Sequence, residues 1–140
     1  MTQDFAKRIA IVVSEGLEEW QVLNAVAHVA AQIGNKMKEP FDTGESFDTK
    51  DGVKHPRNSQ YPIVTLCAKA GDMAVFAKAV RESGLPHLGF FREMIETTVD
   101  NEIVEILKNK TEEDIEYLAI GVFGSNEVVK PLTKKFSLWK

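Results

Sequence analysis

Four polar side chains lie at helical spacing in a segment that is otherwise mostly apolar. They are Gln21, Asn24, His28 and Gln32, and at 3.6 residues per turn they form one narrow stripe. Asn24 would supply an amide that both donates and accepts hydrogen bonds, and His28 would supply an imidazole that titrates near neutral pH. In a cleft, these groups could bind a small polar ligand or move a proton.

The same stripe has a second interpretation that involves no chemistry. Beyond Glu19 the segment has no charged residue until its end, whereas a surface helix ordinarily has a charged outer face. The helix is therefore expected to be covered on most sides, by the core or by a second copy of the chain in a homodimer. Covered polar groups need hydrogen-bond partners, which the stripe would then find across that contact. The stripe alone leaves both interpretations open.

Other residue types that often mark an active site lack the context that such sites need. The three histidines have no partner histidine at i+3 or i+4, and the acids between residues 42 and 51 lack the glutamate that ends a calcium-binding EF-hand loop. Cys67 lies within an apolar strand pattern, and no serine has the GxSxG context of a nucleophile. The sequence therefore predicts neither a metal site nor a cofactor.

Composition and charge limit the class of protein. The chain has 140 residues, of which 44% are hydrophobic and 27% charged, with one cysteine and a net charge of −4. These values predict a single α/β domain over residues 1–140 in a reducing compartment, which we take to be the cytoplasm. The longest mostly apolar stretch, Val22 to Ile33, is too short to cross a bilayer. The negative charge predicts little binding to nucleic acid, for which the only candidate patch is the lysines between residues 130 and 140.

Strand and helix patterns alternate along the chain and must position the stripe. Apolar, β-rich runs predict strands at Arg8 to Ser14, Pro62 to Ala68, Leu88 to Thr97, Tyr117 to Val122 and Phe136 to Trp139. Helical periodicity predicts one helix over Glu18 to Ile33, which Gly34 ends, and a second from Asp72 to Gly84. A third helix is predicted to begin at Asp100 and to bury Ile103, Ile106 and Leu107. A fourth is predicted to begin at Ser125 or Asn126 and to end at Pro131. This alternation predicts an α/β fold with a mixed sheet between helices.

An irregular excursion at about residues 35–60 interrupts the alternation. It contains glycine, proline and scattered charged residues without a sustained period. Long loops in compact domains often belong to a binding site or an interface, so this one could be a lid. The core is predicted at apolar strand positions, namely Ile9, Ile11, Val13, Ile63, Val64, Leu66 and Ile120.

The order of several short stretches resembles the domain of unknown function 2000 family. The stretches are Ile9 to Val13, then Leu17, Trp20, Asn24, His28 and Gly34, then Asp48 with Asp51-Gly52, Tyr61 to Val64, Glu93-Met94 to Thr97 with Asp100 and Asn101, Ala119 to Gly121, and Leu132 to Phe136. The resemblance implies a fold similar to that of type II peptidyl-tRNA hydrolase, and it implies homodimers. It implies no particular activity.

The hydrolase itself has two motifs that this chain keeps only in part. A Gly-Lys-Gly-Lys pattern precedes its first helix, where this chain reads Glu18-Glu19-Trp20-Gln21. An Asp-Ala-Gly-Arg-Thr motif supplies an acid and a threonine, and Glu93-Met94-Ile95-Glu96-Thr97 keeps both without the glycine and the arginine. Negative charge thus stands where a tRNA phosphate or a polarised ester would need a cation. These departures argue against peptidyl-tRNA hydrolysis.

Two functions remain after this comparison, beside a purely structural partner protein that binds no ligand. The first is a homodimeric binding module for a small polar ligand or a protein tail, with Trp20 and Asn24 as ligand-binding residues. The second is a hydrolase of an ester or amide, in which His28 or Glu93 acts as a base and Thr97 orients water or substrate. The sequence does not decide whether the protein is an enzyme. Convergence of Asn24, His28, Glu93 and Thr97 in one concave site would favour the hydrolase.

Overall fold

The computed structural model describes residues 3–37 and 41–140, and most of its strands form one mixed β-sheet. The strands are β1 (Lys7–Ser14), β2 (Ser46–Asp48), β3 (Lys54–Pro56), β4 (Ile63–Ala68), β5 (His87–Phe91), β6 (Tyr117–Ser125) and β7 (Ser137–Leu138). The helices are α1 (Glu19–Lys36), α2 (Ala70–Ser83), α3 (Glu93–Glu96), α4 (Asp100–Lys108) and α5 (Asn126–Thr133), with a short 3₁₀ turn at Glu112–Asp114. None of the helices described is long and apolar enough to span a membrane.

The five-stranded sheet has the spatial order β5-β6-β1-β4-β7. Its central strand β1 pairs in parallel with β4 and antiparallel with β6, while β5 and β7 join the two sides antiparallel. Every residue of β1 from Ile9 to Ser14 is buried, as expected for a strand that is covered on both faces. The prediction of an α/β fold with a mixed sheet is confirmed.

Side chains of β1 alternate between two hydrophobic clusters, one on each face of the sheet. Ile9, Ile11 and Val13 pack against α1, whereas Ala10 and Val12 pack against α2 and α5. The buried face of α1 consists of Val22, Ala25, Val29 and Ile33, and that of α2 consists of Met73, Phe76, Ala77 and Val80. Helices thus cover both faces of the sheet.

α1 approaches the sheet closely because β6 has a glycine beneath it. A Cβ atom added at Gly121 would lie 2.3 Å from Val29 Cγ1 and 2.5 Å from Ile33 Cδ1. Atoms this close cannot coexist in a packed core. The absence of a side chain at Gly121 therefore fixes the distance between α1 and the sheet.

The predicted strand Leu88 to Thr97 is wrong in its second half. β5 ends at Phe91. The next residue, Arg92, still donates its N–H to the carbonyl of Glu116, the residue just before β6. The chain then turns into α3, in which Ile95 N and Glu96 N both donate to Arg92 O. Met94 and Ile95 suit a strand or a helix equally in such a short run, so tertiary contacts decided the outcome.

The predicted ends of several helices also differ from the structure. α1 runs through Gly34 to Lys36, because buried Met37 follows it and donates its N–H to Ile33 O. α5 runs through Pro131 to Thr133. Proline has no N–H to donate to the carbonyl four residues earlier, but that carbonyl belongs to Glu127, which is exposed. α2 begins at Ala70, before Asp72, and Asp100 is the first residue of α4, so neither aspartate is the N-cap residue.

The core prediction fails at β4. Ile63 is 46% exposed, while Val64 and Leu66 are half-buried. Ile63 is aligned with Ile9 on the α1 face of the sheet, but α1 packs over β1, β5 and β6 and leaves β4 uncovered there. The predicted positions Ile9, Ile11, Val13 and Ile120 are buried.

The irregular excursion contains the small hairpin of β2 and β3. Its turn uses Gly52 at a φ of 89°, and Arg57 closes the hairpin by an ion pair of 2.7 Å to Glu45. Residues 38–40 of the predicted excursion lie outside the described residues.

Candidate functional site

A groove of about 710 Å³ lies between α1 and α4. Trp20, Asn24, His28 and Gln32 of α1 form one wall, Leu88, Phe90, Met94 and Ile95 form the floor, and Thr97, Thr98, Asp100, Ile103 and Val104 form the other wall. Its volume lies within the range of small-molecule sites. No residue of the described parts of the excursion, 35–37 and 41–60, lines this groove, so the structure gives no support for a lid there.

The predicted polar stripe supplies the α1 wall. Burial of Val29 and its neighbours on the sheet turns Asn24, His28 and Gln32 toward the side of the helix, where they line the groove. Gln21 is different, because its Oε1 accepts a hydrogen bond of 3.0 Å from Glu18 N and caps the helix. Three of the four stripe residues thus share one site.

His28 is held in place by the floor of the groove. Its ring stacks on Phe90 with 5.4 Å between ring centroids and 19° between planes. Within residues 3–37 and 41–140, the side chains of Asn24, His28 and Gln32 form no hydrogen bond with protein. Their polar atoms are therefore available to water or to a ligand.

The hydroxyl of Thr97 belongs to the start of α4. It donates to Glu102 Oε2 at 2.8 Å and accepts from Val99 N at 3.1 Å. These two bonds fasten the first turn of the helix, as capping side chains do. Thr97 lines the groove, but its hydroxyl is already engaged.

Glu93 is buried and does not line the groove. Only 4% of it is exposed, and its Oε1 accepts a hydrogen bond of 2.5 Å from Lys110 Nζ. Burial raises the pKa of this carboxyl, but the hydrogen bond and the charge of Lys110 lower it more, so the pKa lies below its ordinary value. Its other oxygen, Oε2, is buried without a hydrogen-bond partner among the described residues.

The structure therefore brings together four of the five predicted site residues. Trp20, Asn24, His28 and Thr97 line one groove, whereas Glu93 lies outside it. The sequence did not reveal the wall opposite α1, which includes Asp100, Ile103 and Val104 of α4. The available signal was the apolar face of α4, but that face was predicted to be buried. In the structure no residue of α4 is buried, and Ile106 is exposed.

One side chain gives the described lining of the groove its formal charge. Among the described residues that line it, Asp100 is the one aspartate, glutamate, lysine or arginine. Within the described parts of the chain, its carboxylate has neither an ion pair nor a side-chain hydrogen bond. Nor do the described residues place three or more His, Cys, Asp or Glu side chains close enough to hold a metal ion.

The sequence and the fold both match known proteins. Residues 7–140 match the model of a family described as protein of unknown function, DUF2000, and the chain belongs to that family. The predicted family is confirmed. No curated protein matches the chain.

The solved structure of a protein of unknown function, Atu0240 from Agrobacterium tumefaciens strain C58, is similar to this chain. The two are 20% identical, with a TM-score of 0.84 over 98% of this chain and 100% of the other. This likeness shows a shared fold. Neither comparison indicates an activity, and the protein is of uncharacterised function, as predicted.

Proposed function

We propose that the protein binds a small molecule and that the groove between α1 and α4 is the binding site. The observation that supports this is the stripe of Asn24, His28 and Gln32, which has no hydrogen-bond partner among the described residues and lines a groove of about 710 Å³ with an apolar floor. Ligand sites typically combine a mostly apolar lining with a few polar groups that orient the ligand. The groove has this composition.

The two sides of the groove indicate an amphipathic ligand. Phe90, Met94 and Ile103 offer apolar contacts that would favour a hydrocarbon or aromatic body. Asn24 offers an amide donor and acceptor, and His28 offers ring nitrogens. A ligand with an apolar body and a polar end would satisfy both sides, whereas a wholly polar ligand would leave the floor without a partner.

The alternative, hydrolysis of an ester or amide, has less support from the geometry. Glu93 lies outside the groove with its carboxylate held by Lys110, and the hydroxyl of Thr97 already binds Glu102 and Val99. Of the residues predicted for catalysis, His28 alone then remains available at the groove, and no described side chain binds its ring nitrogens to orient it. We therefore favour binding over hydrolysis.

A groove-filling variant tests the binding site. Val104 lines the groove and Val128 does not, and both are about half exposed. Val104→Trp should fill the groove, while Val128→Trp is the matched control on α5. A screen of metabolites by thermal melting should find compounds that stabilise the wild type, since a ligand at 100 times its Kd adds about 2.7 kcal/mol.

Those compounds should lose their effect on Val104→Trp and keep it on Val128→Trp. If they stabilise both variants equally, the ligand binds elsewhere and the proposal is wrong. If a broad screen finds no stabilising compound, the protein has no small-molecule function of this kind.

We also propose that the protein is a homodimer that pairs through the outer face of α1. This face has Trp20 and Leu23 exposed by 58% and 65%, followed by exposed Ala27 and Ala31, and no charge lies between Glu19 and Lys36. Exposed apolar faces of this kind often bind another protein surface. Trp20 belongs both to this face and to the groove, so a second copy would lie at the rim of the site.

Light scattering at micromolar concentration tests the dimer. Leu23→Glu should yield a monomer, because it places a charge in the centre of the contact. Val75→Glu on the exposed side of α2 is the matched control and should leave the dimer intact. A wild type that is monomeric at every concentration contradicts the proposal.

We also propose that the fold is of the type II peptidyl-tRNA hydrolase kind. The mixed sheet between helices supports this proposal, and superposition on that enzyme tests it.

Cytoplasmic location and weak nucleic-acid binding stay predictions. A gel-shift assay with tRNA at physiological salt should show no specific complex, because few lysines are available to contact phosphates.

A further inference from the structure

We propose that the ligand of the groove is an amphipathic amine, a molecule with an apolar body and a positively charged nitrogen. This inference rests on the proposed function, because it names the class of molecule that the same groove would bind. Three features of the groove support it: an unpaired carboxylate, an aromatic side chain at the rim, and the lack of lysine and arginine among the described residues that line it.

The unpaired carboxylate is that of Asp100. Among the described residues no cationic side chain pairs with the carboxylate of Asp100. Two other acids near this wall are engaged, because Glu102 accepts from Thr97 and Glu93 accepts from Lys110. A cationic ligand would therefore find the unpaired carboxylate of Asp100 in the lining of the groove.

The position of Asp100 also disfavours an anionic ligand. The N-terminus of a helix attracts anions through its free amide groups, and α4 begins at this wall of the groove. Asp100 is the first residue of that helix, so its negative charge occupies the place where an anion would bind. The described part of the lining contains no lysine or arginine that would compensate the charge of an anionic head group.

One aromatic ring and several apolar side chains complete the match to an amine. Trp20 lines the groove with more than half of its surface exposed, whereas the ring of Phe90 is buried and stacked on His28. Cations bind favourably over aromatic faces, and tryptophan is the most favourable. Met94, Ile103 and Val104 supply the apolar contacts for the rest of the molecule. A bare metal ion would gain nothing from this apolar lining.

Three probes with one apolar body and different head groups test the charge. They are 4-phenylbutylamine, 4-phenylbutan-1-ol and 4-phenylbutanoate, each titrated calorimetrically at low salt. Measurement at pH 8 keeps an ordinary histidine neutral while the alkylamine stays protonated. The amine should bind about fivefold to tenfold more tightly than the alcohol, as expected for a partly exposed charge pair next to an aromatic ring. The carboxylate should bind most weakly.

Two variants, each of which removes one carboxylate from α4, test which group causes the preference for the amine. Asp100→Asn should bring the amine and the alcohol to within about twofold of each other. Glu105→Gln removes an acid from the exposed surface of the same helix, outside the groove, and should leave the preference unchanged. Melting curves of both variants check that α4 and the fold are retained.

Failure of this inference differs from failure of the proposed function. If the alcohol or the carboxylate binds as tightly as the amine, and Val104→Trp abolishes that binding, the groove binds ligands but the charge inference is overturned. An Asp100→Asn variant that keeps the full preference for the amine also overturns it. If none of the three probes binds at millimolar concentration, the inference fails, and the proposed function then depends on the metabolite screen.

Discussion

The two helices that flank the groove are held by different means. α1 has 18 residues and buries Val22, Ala25, Val29 and Ile33 on the sheet, whereas α4 has nine residues and buries none. A helix as short as α4 is only marginally stable in water unless its apolar face packs. The groove thus has one wall that belongs to the core and one that does not.

α4 is instead fastened by polar contacts at its two ends. At its start, Thr97 binds Glu102 and the backbone of Val99, and just beyond its end Lys110 binds Glu93. The apolar residues Ile103 and Val104 face the groove rather than a core. We expect a ligand in the groove to add the contacts that α4 lacks, so this wall should be stabilised more by binding than α1.

The largest expected effect comes from the same truncation made in each helix. Ile33→Ala in α1 should lower the free energy of unfolding by about 2–5 kcal/mol, because it leaves a cavity between the helix and the sheet. Ile103→Ala in α4 should lower it by less than about 1 kcal/mol, since Ile103 is only half-buried. Urea denaturation followed by circular dichroism measures both. Equal losses would show that α4 is packed as firmly as α1.

A smaller effect is expected from the ion pair at the end of α4. Lys110→Met should lower the free energy of unfolding, but by less than the usual cost of breaking a fully buried pair, because a third of the lysine side chain is exposed. The loss arises because the buried carboxylate of Glu93 would then have no cation. Lys108→Met is the matched control, and it should cost under about 0.5 kcal/mol because both Lys108 and Glu105 are exposed.

Thermal melting of both lysine variants measures this difference. In addition, the amide hydrogens of α4 should exchange faster in Lys110→Met while those of α1 keep their protection. If the two lysine variants melt at the same temperature, the pair does not fasten α4.

The difference between the helices explains which parts of the site the sequence could predict. The spacing of Asn24, His28 and Gln32 fixes their common side within one helix, so the α1 wall followed from the sequence. The α4 wall depends on where two separate elements meet, and no local pattern sets that. The amphipathic periodicity of α4 predicts a core face, because such periodicity does not distinguish burial in a core from exposure to a groove.

The same reasoning applies to the strands and to Glu93. The apolar run of β1 predicted a central strand correctly because helices cover both of its faces. Ile63 was misjudged because its exposure depends on how far α1 extends across the sheet. Glu93 was assigned to the site by its spacing from Thr97, but its surroundings are determined by Lys110, which is 17 residues further along the chain.

The smallest expected effect is the dependence of the Glu93 contact on pH. The pKa of this carboxyl is lowered in the folded protein, since Lys110 outweighs the effect of burial, whereas in the unfolded chain it is about 4.3. A carboxyl whose pKa is lower in the folded state stabilises the fold above the unfolded pKa, and this contribution is lost as the pH falls through the folded pKa. The wild type should therefore be more stable than Glu93→Gln at pH 7, and the difference should shrink below about pH 4.3.

Urea denaturation of both proteins between pH 7 and pH 3 measures this difference in the free energy of unfolding. The contributions of the other carboxyls cancel in the difference, because both proteins contain them. A difference that grows in acid would mean that burial prevails over Lys110, and then the pair would hold α4 through packing rather than through charge.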